Sequence, residues 1–120
     1  ERYGVAPPLW LLTSHGTRKP IREHLGARLD GYGIATFDQR VSLRLREDGS
    51  LYLDPEGQPS LYATGHGDFP EALVESGLLE RFLARGGEYV LMSNVDNLGG
   101  GLDPVVIGAH LRGASPITCE

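Results

Sequence analysis

Polar residues typical of ligand binding are concentrated in three short segments, each next to a hydrophobic run. The segment at residues 63–73 (ATGHGDFPEAL) places His66 between Gly65 and Gly67, directly before a predicted helix. Such glycines allow close approach to the backbone, at an entropic cost on folding. Amide groups at the start of a helix favour anions, so this segment is a candidate phosphate neighbour. A tight loop with an incidental histidine is the alternative.

A second segment, at residues 93–104 (SNVDNLGGGLDP), places a carboxylate directly after a hydrophobic run. Magnesium prefers one or two carboxylates together with phosphate oxygens and water, so Asp96 is the predicted metal ligand. Asn94 and Asn97 can donate hydrogen bonds to hydroxyl or phosphate oxygens. A simple turn is the alternative, because Asp, Asn and Gly all favour turns. The glycines at 99–101 do not form a P-loop, since no Lys-Ser/Thr pair follows them.

The third segment, at residues 13–17 (TSHGT), supplies hydroxyl groups and an imidazole after the first hydrophobic run. His15 is a candidate polar contact, with a solvated loop histidine as the alternative. No Ser-His-Asp arrangement is evident in the sequence.

Hydrophobic patterning predicts that strands and helices alternate along the chain. Strands are predicted at residues 8–14, 33–39 and 88–94, a hairpin at 41–55 around Asp48-Gly49, and helices at 17–29, 68–85 and 103–111. Thr17, Asp68 and Asp103 are the predicted N-caps. The alternation predicts an α/β domain with a largely parallel sheet and a hairpin insertion. Ligands bind beyond the carboxyl ends of such strands, where all three polar segments are expected.

Composition restricts the classes of function. The chain has 120 residues and a formal net charge of −5, which argues against a nucleic-acid partner. Cys119 is its single cysteine, so a reducing, cytoplasmic location is expected. No hydrophobic run approaches the roughly 20 residues that cross a membrane, so no membrane partner is expected. The four histidines lack zinc-type spacing. Without a starting methionine, we expect a chain cut from a longer one.

Several motifs occur in the order found in the UTP–glucose-1-phosphate uridylyltransferase family. They are PLWLLTS…T (8–17), FDQ (37–39), GHGD (65–68) and SGLLERFLARGGEYVLMSNVDNLGGGLDP (76–104). Related UDP-N-acetylhexosamine pyrophosphorylases usually have asparagine and glycine in place of His66 and Asp68, so the chain resembles the glucose branch. The family's Met-Asn-Ser is Leu12-Thr13-Ser14 here.

The resemblance implies a Mg²⁺-dependent nucleotidyltransferase that makes UDP-glucose and pyrophosphate from UTP and glucose 1-phosphate. It implies a Rossmann-like sheet, mostly parallel, with helices on both faces and a β-hairpin insertion. It gives His66 and Asp96 catalytic roles and makes Asp96 the magnesium ligand. Nucleotide or sugar contacts are implied for Gly65, His66, Gly67, Asn94, Thr13 and Ser14.

The resemblance also implies that residues 1–120 are part of a single nucleotidyltransferase catalytic domain. The family's Gly-rich loop with its lysine and the C-terminal region are absent, so we expect the isolated chain to be inactive. Two alternatives stay open: another sugar 1-phosphate, such as N-acetylhexosamine 1-phosphate, and an inactive nucleotide-binding homologue. A receiver-like module with Asp96 as phosphoacceptor is disfavoured, because no acidic pair follows the first strand and no lysine follows Lys19.

Overall fold

The structure, a computed structural model, describes residues 4, 6–31, 33–113 and 115–119. The described strands are β1 Leu9–Thr13, β2 Ile34–Asp38, β3 Val41–Leu43 and β4 Leu61–Ala63. The described helices are α1 Arg18–Leu25, α2 Arg28–Gly31, α3 Phe69–Glu75, α4 Leu78–Ala84 and α5 Pro104–Arg112, with a 3-10 turn at His66–Asp68. The chain divides into two units, Glu1–Gly87 and Glu88–Glu120. The predicted α/β class is confirmed.

Strands β1 and β2 form the parallel pair of the first unit. Their register runs from Leu9 opposite Ile34 to Thr13 opposite Asp38. Beyond the strand ends, the Gln39 amide donates to the Thr13 carbonyl at 2.7 Å. The predicted strands at 8–14 and 33–39 are therefore confirmed, and their carboxyl ends lie at one edge.

The predicted two-stranded hairpin around Asp48-Gly49 is only partly correct. A single bridge between Leu45 and Leu51 closes that turn, whereas β3 pairs antiparallel with the later strand β4. The reason is a second turn four residues further on, where Asp54 Oδ1 accepts from the Gln58 amide at 2.8 Å. This second turn reverses the chain direction, so the segment after Asp48-Gly49 is too short to form a strand of several residues.

Two predicted helices are interrupted by glycines. Gly26 has a φ of 48°, and it separates α1 from α2 within the predicted helix at 17–29. Gly77 has a φ of 70° and separates α3 from α4 within the predicted helix at 68–85. At this second break the Ser76 hydroxyl donates to the Leu73 carbonyl at 2.7 Å and accepts from the Leu78 amide at 3.1 Å. Side-chain bonds of this kind compete with the helical backbone pattern.

The core of the first unit lies between the β1–β2 pair and helices α3 and α4. Its buried hydrophobic residues are Phe37, Ala72 and Leu73, each 4% exposed. Partly buried residues packed against them are Trp10, Leu12, Phe69, Leu78 and Leu79. The rings of Phe37 and Phe69 meet edge to face, with centroids 5.7 Å apart. Packing between β2 and α3 therefore fixes where α3 begins.

In the second unit, the prediction of a buried strand at residues 88–94 is wrong. These residues belong to no strand, and their hydrophobic side chains from Tyr89 to Met92 are 46–62% exposed. A strand exists only through its ladder to a neighbour, and α5 is the only regular element among the described residues of this unit. Helix α5 itself is confirmed, because Asp103 Oδ1 accepts from the Val105 amide at 2.7 Å. No helix in the described part of the chain is long and apolar enough to span a bilayer.

Candidate functional site

Thr13 links the carboxyl ends of β1 and β2 through a side-chain hydrogen bond. Its side chain is 1% exposed, and its hydroxyl donates to Asp38 Oδ1 at 2.7 Å and lies 3.2 Å from the Phe37 carbonyl. Asp38 Oδ2 accepts from Arg18 Nη1 at 2.9 Å, at the first residue of α1. The hydroxyl of Thr13, a predicted ligand contact, is thus bonded to the neighbouring strand.

Asp38 is kept ionised by these partners. Burial is the largest single influence on its pKa and raises it, but the hydrogen bonds from Thr13 and Arg18 and the positive charge of Arg18 together outweigh burial. The pKa of Asp38 therefore lies below its ordinary value. The ionised carboxylate in turn holds the Arg18 guanidinium at this edge of the sheet.

Ser14 and Thr17 close the loop that follows β1. The Ser14 amide donates to Thr17 Oγ1 at 3.0 Å, and the Thr17 amide donates to Ser14 Oγ at 3.2 Å. Their hydroxyl oxygens are hydrogen-bonded at 2.9 Å. Thr17 is the N-cap residue of α1, as predicted, although its side chain caps no amide of that helix. His15 is exposed at the tip of this loop.

The GHGD segment forms an open turn directly before α3. Gly65 has a φ of 98°, a conformation that side chains rarely adopt, and a Cβ at Gly65 or Gly67 would meet no atom within 4 Å. Gly65 is therefore required by the backbone conformation, while space stays open around both glycines. His66 is exposed between them.

The predicted capping of α3 by the Asp68 side chain is wrong. Asp68 precedes α3 but makes no side-chain cap hydrogen bond, and its carboxylate instead accepts a short hydrogen bond from the Thr64 hydroxyl. The 3-10 turn gives Asp68 a helical backbone (φ −78°, ψ −9°) rather than the extended one of capping residues. The Asp68 carboxylate therefore links the last residue of the GHGD segment to Thr64, the residue directly before the segment.

Asn94, Asp96 and Asn97 belong to the second unit, where they form an exposed turn. The Asn97 amide donates to the Asn94 carbonyl at 3.1 Å, and the Leu98 amide donates to the Asp96 carbonyl at 3.0 Å. A Cβ at Gly100 would lie 2.6 Å from Ser93 Oγ, so a side chain there would require the exposed Ser93 side chain to move. Among the described residues, no group of three or more His, Cys, Asp and Glu side chains could hold a metal jointly. Mg²⁺ is commonly held by one or two carboxylates of the protein, with phosphate oxygens and water as its other ligands, and the single Asp96 carboxylate fits such a site.

Asp38, Arg18 and Arg40 were not among the predicted site residues. Asp38 carried two usable signals: it lies in the FDQ motif at 37–39 and, like Asp96, it is an acid directly after a hydrophobic run. Aligning the two predicted parallel strands would have paired Asp38 with Thr13. Arg40 carried no local signal, since its partners are more than 30 residues away.

The fold defines an α/β protein in which the TSHGT loop follows β1 of the parallel pair, whereas the GHGD turn follows β4 of the antiparallel pair. The turn at 94–97 follows no strand among the described residues, so the expectation that all three polar segments follow parallel strands is wrong for two of them. The fold is similar to a crystal structure described as a candidate UDP-N-acetylglucosamine pyrophosphorylase from Entamoeba histolytica. The TM-score is 0.56 at 22% identity, over 67% of this chain and 21% of that one. At this identity the likeness establishes the fold alone.

The family model of UTP–glucose-1-phosphate uridylyltransferase matches residues 1–120, and the chain belongs to this family. It is 40% identical over 111 residues to a probable UTP–glucose-1-phosphate uridylyltransferase of Schizosaccharomyces pombe, covering 86% of this chain and 21% of that protein. It is 34% identical over 118 residues to the UTP–glucose-1-phosphate uridylyltransferase of Hordeum vulgare, covering 92% and 24%. The chain thus spans about a fifth of the length of the first of these curated relatives. The resemblance inferred from the motifs is confirmed.

The Asp38 contacts predict a specific response to acid. Because its pKa is lower in the folded state, Asp38 contributes stability above its usual pKa of about 3.9, and this contribution is lost as pH falls through the folded value. We expect Asp38→Asn to lower the melting temperature at pH 7, with the difference from wild type narrowing below about pH 5. Thermal unfolding between pH 7 and pH 2 measures this. A difference that stays constant over the whole range would contradict the assignment.

Proposed function

We propose that the protein carrying this chain transfers a uridylyl group from UTP to glucose 1-phosphate, giving UDP-glucose and pyrophosphate. The observation that carries the proposal is the family match over residues 1–120. The curated relatives named above have this activity in their names. His66 and Asp68 in GHGD favour glucose 1-phosphate over N-acetylhexosamine 1-phosphate, for the reason given by the resemblance.

The reaction requires alignment more than proton transfer. A phosphate oxygen of glucose 1-phosphate attacks the α-phosphorus of UTP, and the bond from that phosphorus to the bridging oxygen of the β-phosphate breaks. Pyrophosphate leaves with the electron pair of that bond. The attacking oxygen is already ionised, so no strong general base is needed. Catalysis then consists mainly of positioning and of stabilising charge on the phosphates.

In the first unit, the GHGD turn has the properties that such positioning requires. Gly65 and Gly67 leave open space around His66, whose imidazole is exposed. We assign His66 a contact with the phosphates of the nucleotide and sugar, and the two glycines the close approach of the nucleotide. Thr13 and Ser14 follow from the resemblance as further contacts. Thr13 is 1% exposed, its hydroxyl is donated to Asp38 and its carbonyl accepts from the Gln39 amide, so any contribution of Thr13 runs through Asp38.

In the second unit, Asp96 is the proposed magnesium ligand and Asn94 the proposed contact to the nucleotide sugar. Both are exposed in one turn, and a single carboxylate completed by phosphate oxygens and water is a donor set that suits Mg²⁺. Bound Mg²⁺ would neutralise phosphate charge during the transfer.

For the complete domain we propose a Rossmann-like nucleotidyltransferase sheet, mostly parallel and with helices on both faces. The parallel β1–β2 register and the polar loops at their carboxyl ends support this architecture. The antiparallel pair of β3 and β4, which follows β2 directly, is the candidate hairpin insertion. A cytoplasmic location is proposed from the single Cys119.

The direct test is to incubate the complete protein with UTP, Mg²⁺ and one sugar 1-phosphate at a time. We expect pyrophosphate and UDP-glucose from glucose 1-phosphate, at a higher kcat/KM than with N-acetylglucosamine 1-phosphate. A preference for N-acetylglucosamine 1-phosphate would replace the proposed acceptor. UTP binding without turnover of either sugar would identify an inactive homologue.

Replacing Asp96 tests the magnesium assignment. We expect Asp96→Asn to lower kcat by about a hundredfold or more and to raise the Mg²⁺ concentration that gives half-maximal turnover, because the carboxylate is lost while the side-chain shape is kept. Turnover measured across a Mg²⁺ titration gives both quantities. Glu56→Gln, at an exposed carboxylate of the first unit, is the matched control. Normal turnover by Asp96→Asn at ordinary Mg²⁺ levels would refute the assignment.

Replacing His66 tests the role of the GHGD turn. We expect His66→Ala to lower kcat/KM for UTP by about tenfold or more while the melting temperature stays close to wild type, since an exposed imidazole contributes little packing. Steady-state kinetics and thermal unfolding separate the two effects. His24→Ala, at an exposed histidine of α1, is the control. A large fall in melting temperature with unchanged kinetic constants would instead show a structural histidine.

A further inference from the structure

Arg40 lies two residues after β2 and contacts helix α3 through its side chain. Its Nη1 donates to Glu71 Oε2 at 2.5 Å, and its Nη2 forms a short hydrogen bond and ion pair with Glu75 Oε1. Its Nε lies 3.4 Å from Glu75 Oε2. Because Glu71 and Glu75 are one helical turn apart, a single guanidinium spans a full turn of α3.

The backbone of Arg40 contacts the segment that precedes α3. Its carbonyl oxygen lies 3.3 Å from the Thr64 hydroxyl oxygen, whose hydrogen is donated to the Asp68 carboxylate. Arg40 thus contacts the chain on both sides of His66, at Thr64 before it and at α3 after it. We call these contacts to Thr64, Glu71 and Glu75 the Arg40 clamp.

Electrostatics keep the clamp charged. The hydrogen bond to Glu75 is the largest cause that raises the pKa of Arg40, and the negative charges of Glu71 and Glu75 add to it. The same hydrogen bond lowers the pKa of Glu75. The contact between Arg40 and Glu75 is therefore between two charged groups at neutral pH.

We propose that Arg40 is a positioning residue that holds the GHGD turn, and with it His66, in place against the end of β2. The effect on catalysis rests on the function proposed above, whereas the effect on the turn does not. His66 starts the 3-10 turn that runs directly into α3, so any shift of α3 along β2 moves the imidazole. Displacements of about 1 Å in groups that align reactants are enough to slow a reaction severely.

Stability alone does not account for the clamp. The side chains of Arg40, Glu71 and Glu75 are 45%, 62% and 58% exposed, and exposed ion pairs contribute little to folding. The core contacts of Phe69, Ala72 and Leu73 keep α3 folded independently of Arg40. Losing the guanidinium should therefore change the placement and mobility of the turn more than the stability of the unit.

The test compares Arg40→Ala, Arg40→Lys and the control Lys19→Ala in the complete protein. Lys19 also makes an exposed ion pair, with Glu23 at 3.9 Å, but on α1. For Arg40→Ala we expect amide hydrogen exchange at Asp68 and Phe69, whose amides donate to the Gly65 and His66 carbonyls, to rise about tenfold and kcat/KM to fall about tenfold, with little change in melting temperature. Arg40→Lys keeps the positive charge but loses the planar guanidinium that reaches both Glu71 and Glu75. Its exchange rate and its kcat/KM should therefore lie between those of Arg40→Ala and wild type. Lys19→Ala should match wild type.

Two results would overturn the proposal. Unchanged exchange at the Asp68 and Phe69 amides in Arg40→Ala would show that the clamp does not hold the turn. Faster exchange throughout the first unit, with a matching fall in melting temperature, would show a purely structural ion pair. Hydrogen exchange needs no activity, so it tests the clamp even if the complete protein transfers no uridylyl group. An absence of uridylyl transfer would count against the proposed function and not against the clamp.

Discussion

The parallel ladder between β1 and β2 is the constraint on which the first unit depends. Its register sets Thr13 opposite Asp38, and this pairing lets one buried hydroxyl join the two strand ends. A shift of one residue would turn every side chain of a strand to the opposite face. Phe37 would then leave the core, and Thr13 would face neither the Asp38 carboxylate nor the Phe37 carbonyl. The polar edge and the hydrophobic core are therefore fixed by the same register.

Two different kinds of contact connect the β1–β2 ladder to helix α3, which follows the GHGD turn. Phe37 packs edge to face on Phe69, the first residue of α3, which fixes the helix against the sheet. Arg40 follows the same strand and reaches α3 through ion pairs on its exposed side. The hydrophobic contact fixes how far α3 lies from β2. The ion pairs restrict how the helix turns and slides, which apolar packing constrains weakly because it is not directional.

Sequence reasoning succeeded where a hydrophobic run or a capping residue decides the structure, and it failed where strand pairing or competing hydrogen bonds decide it. The strands at 8–14 and 33–39 and the Asp103-capped α5 were predicted, since hydrophobic runs and capping residues act within a few positions. The strand at 88–94 failed, because hydrophobicity gives no information about a pairing partner. The Asp68 cap failed for a related reason: the Thr64 hydroxyl competes for the carboxylate, and composition does not reveal which hydrogen bond wins.

The GHGD turn combines two demands that oppose each other. A ligand needs an open approach, and the empty space around Gly65 and Gly67 provides it. The same openness leaves His66 without packed neighbours, so burial contributes little to fixing its position. The position of His66 therefore depends on directional polar contacts, and a single exposed polar contact contributes little free energy in water. The turn accordingly has several: Thr64 with Asp68, the Arg40 carbonyl with Thr64, and the Arg40 side chain with α3. Several weak polar contacts, connected through Arg40 to the end of β2, thus hold the exposed His66 imidazole in position.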